Sequence, residues 1–238
     1  MGEAVGATRT ALVTGASRGL GLGLARALSQ EGDRLLLGVR DPASAPKLAH
    51  AEVEPLDVGD PASIEALLQR LTRRGEKLDL LVNNAGVYRS ANRRELWDVN
   101  VRGPLLLTRG LSPLLAPGAR VVMVTSGLGR QAVQPADLLE RLARVKAVDE
   151  LLAMSDERPG DYGASKAVLN RLTQLLADEL RPRGILVNAA SPGWCRTDMG
   201  GAGAPRSVEQ GVASILWACR LGPAGPTGGA FEDGQPLD

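Results

Sequence analysis

Residues 11–21 read Ala11-Leu-Val-Thr-Gly-Ala-Ser-Arg-Gly-Leu-Gly21, an apolar run followed at once by a Gly-x-x-x-Gly-x-Gly pattern and the start of a helical pattern. In α/β folds, glycines at such a turn let the backbone approach a pyrophosphate, which binds the free N–H groups of the helix. The stretch predicts a dinucleotide phosphate loop, and a plain tight turn is the alternative. The predicted contacts come from Gly15, Ser17, Arg18, Gly19, Leu20 and Gly21.

Outward from this stretch, short apolar runs alternate with helical patterns. Runs that are apolar on both faces suit buried parallel strands, and they lie at residues 11–14, 35–39, 78–82, 121–125 and 185–189, with a last short strand expected at 229–231. Helical patterns lie at residues 20–30, 63–73, 94–115, 162–181 and 207–220. Such βαβ units predict an α/β protein. We expect a single-domain, doubly wound Rossmann fold over residues 1–238, with a seven-stranded, mainly parallel sheet.

A tyrosine and a lysine four residues apart, Tyr162 and Lys166, form the second informative pattern. Residues at this spacing lie on one face of a helix, so a phenol and an ammonium group can serve one site. A tyrosine normally titrates near pH 10, and a fixed cation nearby lowers that pKa. The pair predicts a proton-transfer site, and an amphipathic helix with an exposed lysine is the alternative.

The composition argues against several classes of function. A formal net charge of +1, with scattered basic residues, gives no electrostatic basis for binding nucleic acid or an anionic membrane. Met1 to Thr10 lack the apolar core of a signal peptide, and no apolar run approaches the roughly 20 residues that span a bilayer. Two cysteines and one histidine predict neither a disulfide framework nor a metal site. We expect a cytoplasmic, metal-independent protein whose partners are small molecules or copies of itself.

The end of the second predicted strand indicates the cofactor. NAD-preferring proteins of this fold place a carboxylate there, whereas this chain has Val39 followed by Arg40. The guanidinium groups of Arg40 and Arg18 can bind a 2′-phosphate in a bidentate manner, which favours NADP(H) over NAD(H). Asp41 is interpreted as a turn residue because Pro42 follows it. A solvated surface charge is the alternative for Arg40.

The glycine pattern and the segment Asp161-Tyr-Gly-Ala-Ser-Lys166 together resemble the short-chain dehydrogenase/reductase family, over residues 9 to about 200. The catalytic residues that the resemblance implies are Asn100, Ser126, Tyr162 and Lys166, with Thr125 as the alternative to Ser126. The further cofactor contacts that it implies are Asp57, Val58, Asn84, Ala85, Gly86, Tyr162, Lys166, Pro192, Gly193 and Thr197. Cys195, close to the last of these, is interpreted as a small packing residue.

The main departure from the family is the distance between Ser126 and Tyr162, which is longer than in typical members. Pro135 to Met154 carry a helical apolar stripe, so the insertion at about 130–158 is expected to contain one amphipathic helix. This insertion and the ending Trp194-Cys-Arg-Thr-Asp-Met199 resemble the monomeric carbonyl reductases of the family. We expect a monomer or weak homodimer with a substrate loop at about 194–208. Dimerisation through the added helix is the alternative.

The resemblance implies NADPH-dependent reduction of an aldehyde, ketone or quinone to an alcohol, with Tyr162 as the proton donor. Two alternatives are an NADP(H)-binding sensor or signalling protein and an alcohol dehydrogenase that works oxidatively. The complete catalytic set favours an enzyme, because a sensor needs the glycine loop but no proton donor. We expect an apolar or aromatic carbonyl substrate, in a pocket formed by Tyr88, Leu128, Met154 and Trp194.

Overall fold

The computed structural model describes residues 8–237, which fold around one eight-stranded sheet. The strands are Thr10–Thr14 (β1), Arg34–Val39 (β2), Ala51–Pro55 (β3), Leu78–Asn83 (β4), Leu115–Val124 (β5), Leu186–Ser191 (β6), Ala230–Glu232 (β7) and Gln235–Pro236 (β8). Their spatial order is β3-β2-β1-β4-β5-β6-β7-β8, with every pair parallel except β7 with β8. The predictions for residues 1–7 and for Asp238, the two ends of the expected domain, lie outside the described residues.

Helices cover both faces of the sheet. They are Gly19–Gln30 (α1), Pro61–Arg73 (α2), Arg93–Trp97 (α3), Gly103–Leu111 (α4), Ala136–Arg144 (α5), Val148–Asp156 (α6), Tyr162–Leu180 (α7) and Val208–Cys219 (α8). Leu12 of β1 packs in a core with residues of α2, α4 and α7, whereas Ala11 and Val13 pack in a second core with α1 and α8. All three are fully buried, as expected for a strand covered on both faces. The doubly wound α/β fold is therefore confirmed.

The functional edge of the sheet follows from the strand order. β1 pairs with β2 on one side and with β4 on the other, so the chain changes direction across the sheet at this point. Open α/β sheets bind ligands outside the carboxyl ends of the strands at such a switch point. The glycine loop follows β1 directly, and Asn83-Asn-Ala-Gly86 begins at the end of β4.

Two strands differ from the sequence-based expectation. The sheet has eight strands rather than seven because Asp233 and Gly234, with φ of 51° and 78°, form a tight turn that adds β8 as a short hairpin partner. β3 was not among the predicted apolar runs. It pairs only with β2 and alternates apolar with charged residues, and its Val53 is 40% exposed.

The predicted helix at 94–115 is interrupted. α3 passes into a π-helical turn, Asp98–Arg102, before α4 begins at Gly103. α4 ends at Leu111, where Pro113 has no N–H to continue the helical ladder, and Leu115 already belongs to β5.

The insertion before Tyr162 contains two helices, α5 and α6, rather than the one predicted. The break at residues 145–147 is held by two contacts that an uninterrupted helix would lack. Arg171 of α7 donates to the carbonyl oxygen of Val145 at 2.6 Å, and the Glu150 carboxylate accepts from the backbone N–H of Lys146 at 2.9 Å. The second contact satisfies an N–H at the start of α6. Leu138 and Leu142 of α5 and Leu151 of α6 are buried, so the apolar stripe lies against the protein as predicted.

Candidate active site

The glycine loop between β1 and α1 has the form of an anion-binding turn. Gly15 and Gly19 have φ of 66° and 54°, a region that side chains rarely adopt. A Cβ at Gly21 would collide with the carbonyl oxygen of Gly15, so only glycine fits there. α1 carries no acidic residue in its first turn, and no side chain caps it. The loop therefore fits a pyrophosphate at the helix N-terminus.

The other predicted loop residues differ in their exposure. Ser17 is half-buried and Arg18 is exposed, so both side chains can reach solvent beside the loop. Leu20 packs against the core between α1 and α8 and can offer only its backbone.

Thr14 joins the residues after β4 to the glycine loop. Its Oγ1 accepts hydrogen bonds from the backbone N–H groups of Asn84 and Ala85, both at 3.0 Å. The Asn84 side-chain amide donates to the Thr14 carbonyl at 2.8 Å. A Cβ at Gly86 would lie 3.8 Å from Nζ of Lys166. Asn84, Ala85 and Gly86 thus connect the phosphate loop to the predicted catalytic lysine.

Arg40 follows β2 and is exposed. It lines a cavity of about 240 Å³ together with Asp57. The Asp41 carboxylate accepts from the N–H of Ala43 at 3.0 Å, so it caps a local turn, as interpreted from the sequence. Arg18 forms an exposed ion pair with Asp198 at 3.1 Å. Arg40 is therefore the better placed of the two arginines to bind a 2′-phosphate.

The predicted cofactor contacts Asp57 and Val58 differ in what they can offer a ligand. The Asp57 carboxylate accepts from the N–H of Gly59 at 2.9 Å, and its own N–H donates to the Ser63 hydroxyl at 2.9 Å. The Val58 side chain is only 7% exposed and packs in the core. Asp57 faces the cavity beside Arg40, whereas Val58 can contribute only its backbone.

Asn100 lies in the π-helical turn and is fully buried. Its Oδ1 accepts from the N–H of Val87 at 2.9 Å, and its Nδ2 donates to the Val87 carbonyl at 2.8 Å and to the Ser165 hydroxyl at 3.2 Å. π-Helical turns frequently occur at functional sites. The Asn100 side chain fixes the segment between Gly86 and Tyr88 beside α7.

The turn after β5 distinguishes Ser126 from Thr125. The Thr125 hydroxyl bonds to Oδ1 of Asn170 at 2.7 Å, and Thr125 is 2% exposed. The Ser126 Oγ accepts from the N–H of Leu128 at 3.2 Å and lies beside the Tyr162 phenol. Asn170 also donates to the carbonyl of Gly129 at 3.1 Å, so it holds both ends of this turn. Sequence reasoning missed Asn170, although its position one helical turn after Lys166 was a usable signal.

Tyr162 begins α7 and faces Tyr88, with ring centroids 4.8 Å apart in a T-shaped pair. Burial raises the pKa of Tyr162 to about 12, and this effect outweighs the hydrogen bond with Ser126, which lowers the pKa. The sequence predicted a lowered value. The difference arises because burial dominates and Lys166 does not offset it: its Nζ lies 5.6 Å from the phenol ring centroid and donates to the Val124 carbonyl at 2.9 Å. At neutral pH this phenol carries its proton.

Lys166 is almost completely buried, and burial lowers its pKa to about 8. One of its N–H groups is bonded to Val124, which leaves two donors for another partner. Gly86 is the neighbouring residue across the site. An ammonium group in this position fits the hydroxyls of a ribose.

A second cavity of about 650 Å³ opens in front of Tyr162. Tyr88 and Leu128 line it as predicted, together with Val133, Pro135 and Leu138 of the insertion. Met154 was wrongly predicted to line this pocket, since it is 6% exposed and packs in the core beneath α6. Trp194 is 60% exposed, bonds to the carbonyl of Gly200 and does not belong to the cavity lining. The insertion thus forms one wall of the candidate substrate pocket.

The segment after β6 lies across the glycine loop. Pro192 is buried, Gly193 has φ of 71°, and a Cβ at Gly19 would lie 3.4 Å from Cγ2 of Thr197. Cys195 is 4% exposed, and its thiol donates to the Pro192 carbonyl at 3.1 Å. Burial raises the pKa of this thiol, in keeping with a packing residue.

Within residues 8–237, no helix combines the length and apolar character needed to cross a membrane. In the same part of the chain, no group of three or more histidine, cysteine, aspartate or glutamate residues is arranged to hold a metal ion.

Comparison with known proteins gives consistent matches. The family model described as "short chain dehydrogenase" matches residues 9–136, and one described as "Enoyl-(Acyl carrier protein) reductase" matches residues 148–226. Carbonyl reductase [NADPH] 1 of Mus musculus is 32% identical over 265 residues, covering 94% of this chain and 95% of the mouse protein.

Solved structures agree with these matches. NADPH-bound carbonyl reductase from chicken fatty liver has a TM-score of 0.76 and 28% identity, covering 96% of this chain and 93% of that one. Salutaridine reductase from Papaver somniferum has a TM-score of 0.81 at 24% identity, covering 94% and 99% of the two chains, which supports the fold.

Proposed function

The chain belongs to the short-chain dehydrogenase/reductase family and is an oxidoreductase of the carbonyl reductase type, and from this premise we propose that it reduces an apolar aldehyde, ketone or quinone with NADPH. The observation that carries the proposal is the position of Tyr162. Its phenol bonds with Ser126 at the edge of a largely apolar cavity, and like an ordinary phenol it is protonated at neutral pH. A protonated phenol is the form that a carbonyl reduction requires.

The residues of the site divide the chemistry among them. When bound, the reduced nicotinamide would supply the hydride to the carbonyl carbon. Tyr162 gives its proton to the carbonyl oxygen, and Ser126, whose hydroxyl bonds with the Tyr162 phenol, is placed to donate its O–H to the same oxygen once a substrate is bound. Lys166 binds the ribose hydroxyls with its two remaining donors. Asn100 fixes Val87 beside the site through two hydrogen bonds. The proposal also includes a proton relay that Asn100 supports.

Arg40 supports the choice of NADP(H). It follows Val39, the last residue of β2, where NAD-preferring proteins of this fold have a carboxylate, and Asp41 is engaged in its own turn. The mouse relative named above carries NADPH in its name, and the chicken structure contains it. This cofactor preference favours reduction over oxidation as the reaction direction, and the alternatives are an oxidative alcohol dehydrogenase and an NADP(H) sensor.

The deciding experiment is NADPH oxidation by the chain against a panel of aldehydes, ketones and quinones, with NADH in parallel. Turnover that needs NADPH supports the proposal and ranks the substrates. NADPH binding without turnover on any member of the panel would favour a sensor. Turnover only with alcohols and an oxidised cofactor would favour the dehydrogenase.

The pKa of Lys166 gives an expected pH dependence. The value of kcat/KM for NADPH reports groups of the free enzyme, and Lys166 loses its charge as the pH rises through about 8. We therefore expect this parameter to fall above pH 8, while Tyr162 is still protonated. A pH profile of initial rates measures it. A first decline only near the pKa of Tyr162 would contradict the assignment to Lys166.

Asn170 gives a second expectation. Asn170→Leu removes both hydrogen bonds that hold the Ser126 turn, and each is worth about 1 kcal/mol, so kcat should fall by up to about thirtyfold. Asn170→Asp is the matched control, because it keeps the acceptor for Thr125 and loses only the donor to Gly129. The kcat of Asn170→Asp should lie between that of the unaltered protein and that of Asn170→Leu. Equal kcat in all three would exclude a role for Asn170 in positioning Ser126.

We also propose a monomer or weak homodimer that acts in the cytoplasm. Helices α5 and α6 pack against α7 and cover a face that would otherwise be open to a second chain. Light scattering across a range of concentrations tests the oligomeric state, and a stable tetramer would contradict the proposal.

A further inference from the structure

The segment from Ser191 to Arg206 forms a closed loop over the glycine loop. Its two ends are joined where the N–H of Arg206 donates to the carbonyl of Trp194 at 3.2 Å and the N–H of Arg196 donates to the carbonyl of Arg206 at 2.9 Å. The loop contains the predicted cofactor residues Pro192, Gly193 and Thr197. A contact that fixes Arg206 therefore also fixes the loop that contains these predicted cofactor residues.

The Arg206 guanidinium is bound by the turn between β7 and β8. Its two terminal nitrogens donate to the two carboxylate oxygens of Asp233, at 2.9 and 2.7 Å. The same group donates to the carbonyl of Gln210 at 3.1 Å and lies 3.6 Å from Glu232. The Arg206 side chain is only 21% exposed, although Asp233 is 55% exposed, so the guanidinium side of this bidentate pair is partly shielded from solvent.

A second line of contacts runs from this turn to the same loop. Glu232 accepts from the Ser191 hydroxyl at 2.6 Å, and that hydroxyl accepts from the N–H of Gly193 at 3.2 Å. The Arg206 side chain passes directly over Gly193, where a Cβ would lie 2.6 Å from its Cδ. Both lines of contact converge on Gly193, which has φ of 71°.

We propose that Arg206 is a positioning residue for the cofactor, which holds the loop from Ser191 to Arg206 against the glycine loop through its bidentate pair with Asp233. The hairpin of β7 and β8 thereby supports the cofactor site through Arg206. The inference rests on the proposed function, since it takes NADP(H) as the ligand.

A double-mutant cycle tests the pair. The variants are Arg206→Met, Asp233→Asn and the two combined, and the measurement is the Kd of NADPH by its fluorescence change in the full chain. Asparagine suits the left-handed backbone at position 233 and keeps the shape of the carboxylate. Since a hydrogen-bonded charged group is worth one to two factors of ten, we expect each single change to raise the Kd about tenfold. The double variant should be no weaker than the weaker single variant.

Two further measurements separate positioning from stability alone. At saturating NADPH, the kcat of Arg206→Met and of Asp233→Asn should stay within about twofold of that of the unaltered protein. Their KM for NADPH should rise by the same factor as their Kd. Arg181→Met is the matched control, because Arg181 forms a 2.7 Å ion pair with Asp178 on the exposed end of α7. It should leave the Kd unchanged. Arg206→Lys, which keeps the charge without the fork, should give an intermediate Kd and serves if Arg206→Met fails to fold.

The outcomes are distinct. An unchanged Kd in Asp233→Asn and Arg206→Lys, with NADPH still bound by the unaltered chain, would overturn this inference and leave the proposed function in place. Fully additive effects in the cycle would also overturn it. If the unaltered chain binds no NADPH, the proposed function fails and this inference with it.

Discussion

Tyr162→Phe should lower kcat by at least about a hundredfold and leave the Kd of NADPH within about twofold. General acid catalysis contributes on the order of a hundred- to ten-thousandfold, and phenylalanine keeps the ring while removing the proton. The ring packs at 4.8 Å against Tyr88, so the local packing should be retained. Rates under saturating NADPH and carbonyl substrate, with NADPH affinity measured separately, check both halves of the expectation.

Tyr88→Phe is the matched control for this change. It removes the chain's other phenolic hydroxyl from the same cavity, next to the same ring. Its kcat should stay within a few-fold of the unaltered protein because Tyr88 donates no proton in the proposed reaction. Residual activity of more than a few per cent in Tyr162→Phe would remove Tyr162 from its role as the proton donor. Equal losses in both variants would do the same.

Arg40→Asp should weaken NADPH binding by about a hundredfold or more and change NADH binding little. A charge-assisted hydrogen bond to phosphate contributes about 1.5–3 kcal/mol, and the new carboxylate adds repulsion of the same phosphate. NADH carries a hydroxyl at that position, which a carboxylate can accept from. Titrations of both nucleotides against both proteins measure the ratio of Kd values.

Arg94→Asp is the control for Arg40→Asp. Arg94 lines the same cavity of about 240 Å³, but it pairs with Asp98 on its own helical turn at 3.4 Å. The same change of charge should therefore shift the NADPH affinity only a few-fold. An unchanged nucleotide preference in Arg40→Asp would refute the argument from charge, and an equal shift in both variants would show a general effect of net charge in the cavity.

Local pattern explains which parts of the fold were predictable. β1 and α1 were predicted because an apolar run followed by these glycines is typical of a strand, a tight turn and a helix. Tyr162 and Lys166 were predicted because residues four apart lie on one face of a helix. β3 was missed because its stability depends on pairing with β2. The break between α5 and α6 was missed because Arg171, far along the chain, holds it.

In the candidate site too, local sequence pattern predicted some features and contacts between distant segments determined the others. Residue types at motif positions indicated the phosphate loop and the proton donor, and the structure brings these together. Three features depend on contacts between distant segments: the hydrogen bond from Thr125 to Asn170, the ion pair of Arg18 with Asp198, and the raised pKa of Tyr162. Burial set that pKa, and burial of a single side chain is a property of the whole fold.

The position of β7 has a consequence for synthesis of the chain. Every residue of β6 is buried in the finished sheet, but β7, which covers one side of it, is synthesised only after strands β1 to β6. Until then β6 presents an unpaired apolar edge, the feature through which nascent chains join one another. A chain that stops before Ala230 should therefore accumulate as aggregate, even though its nucleotide loop and its tyrosine are present.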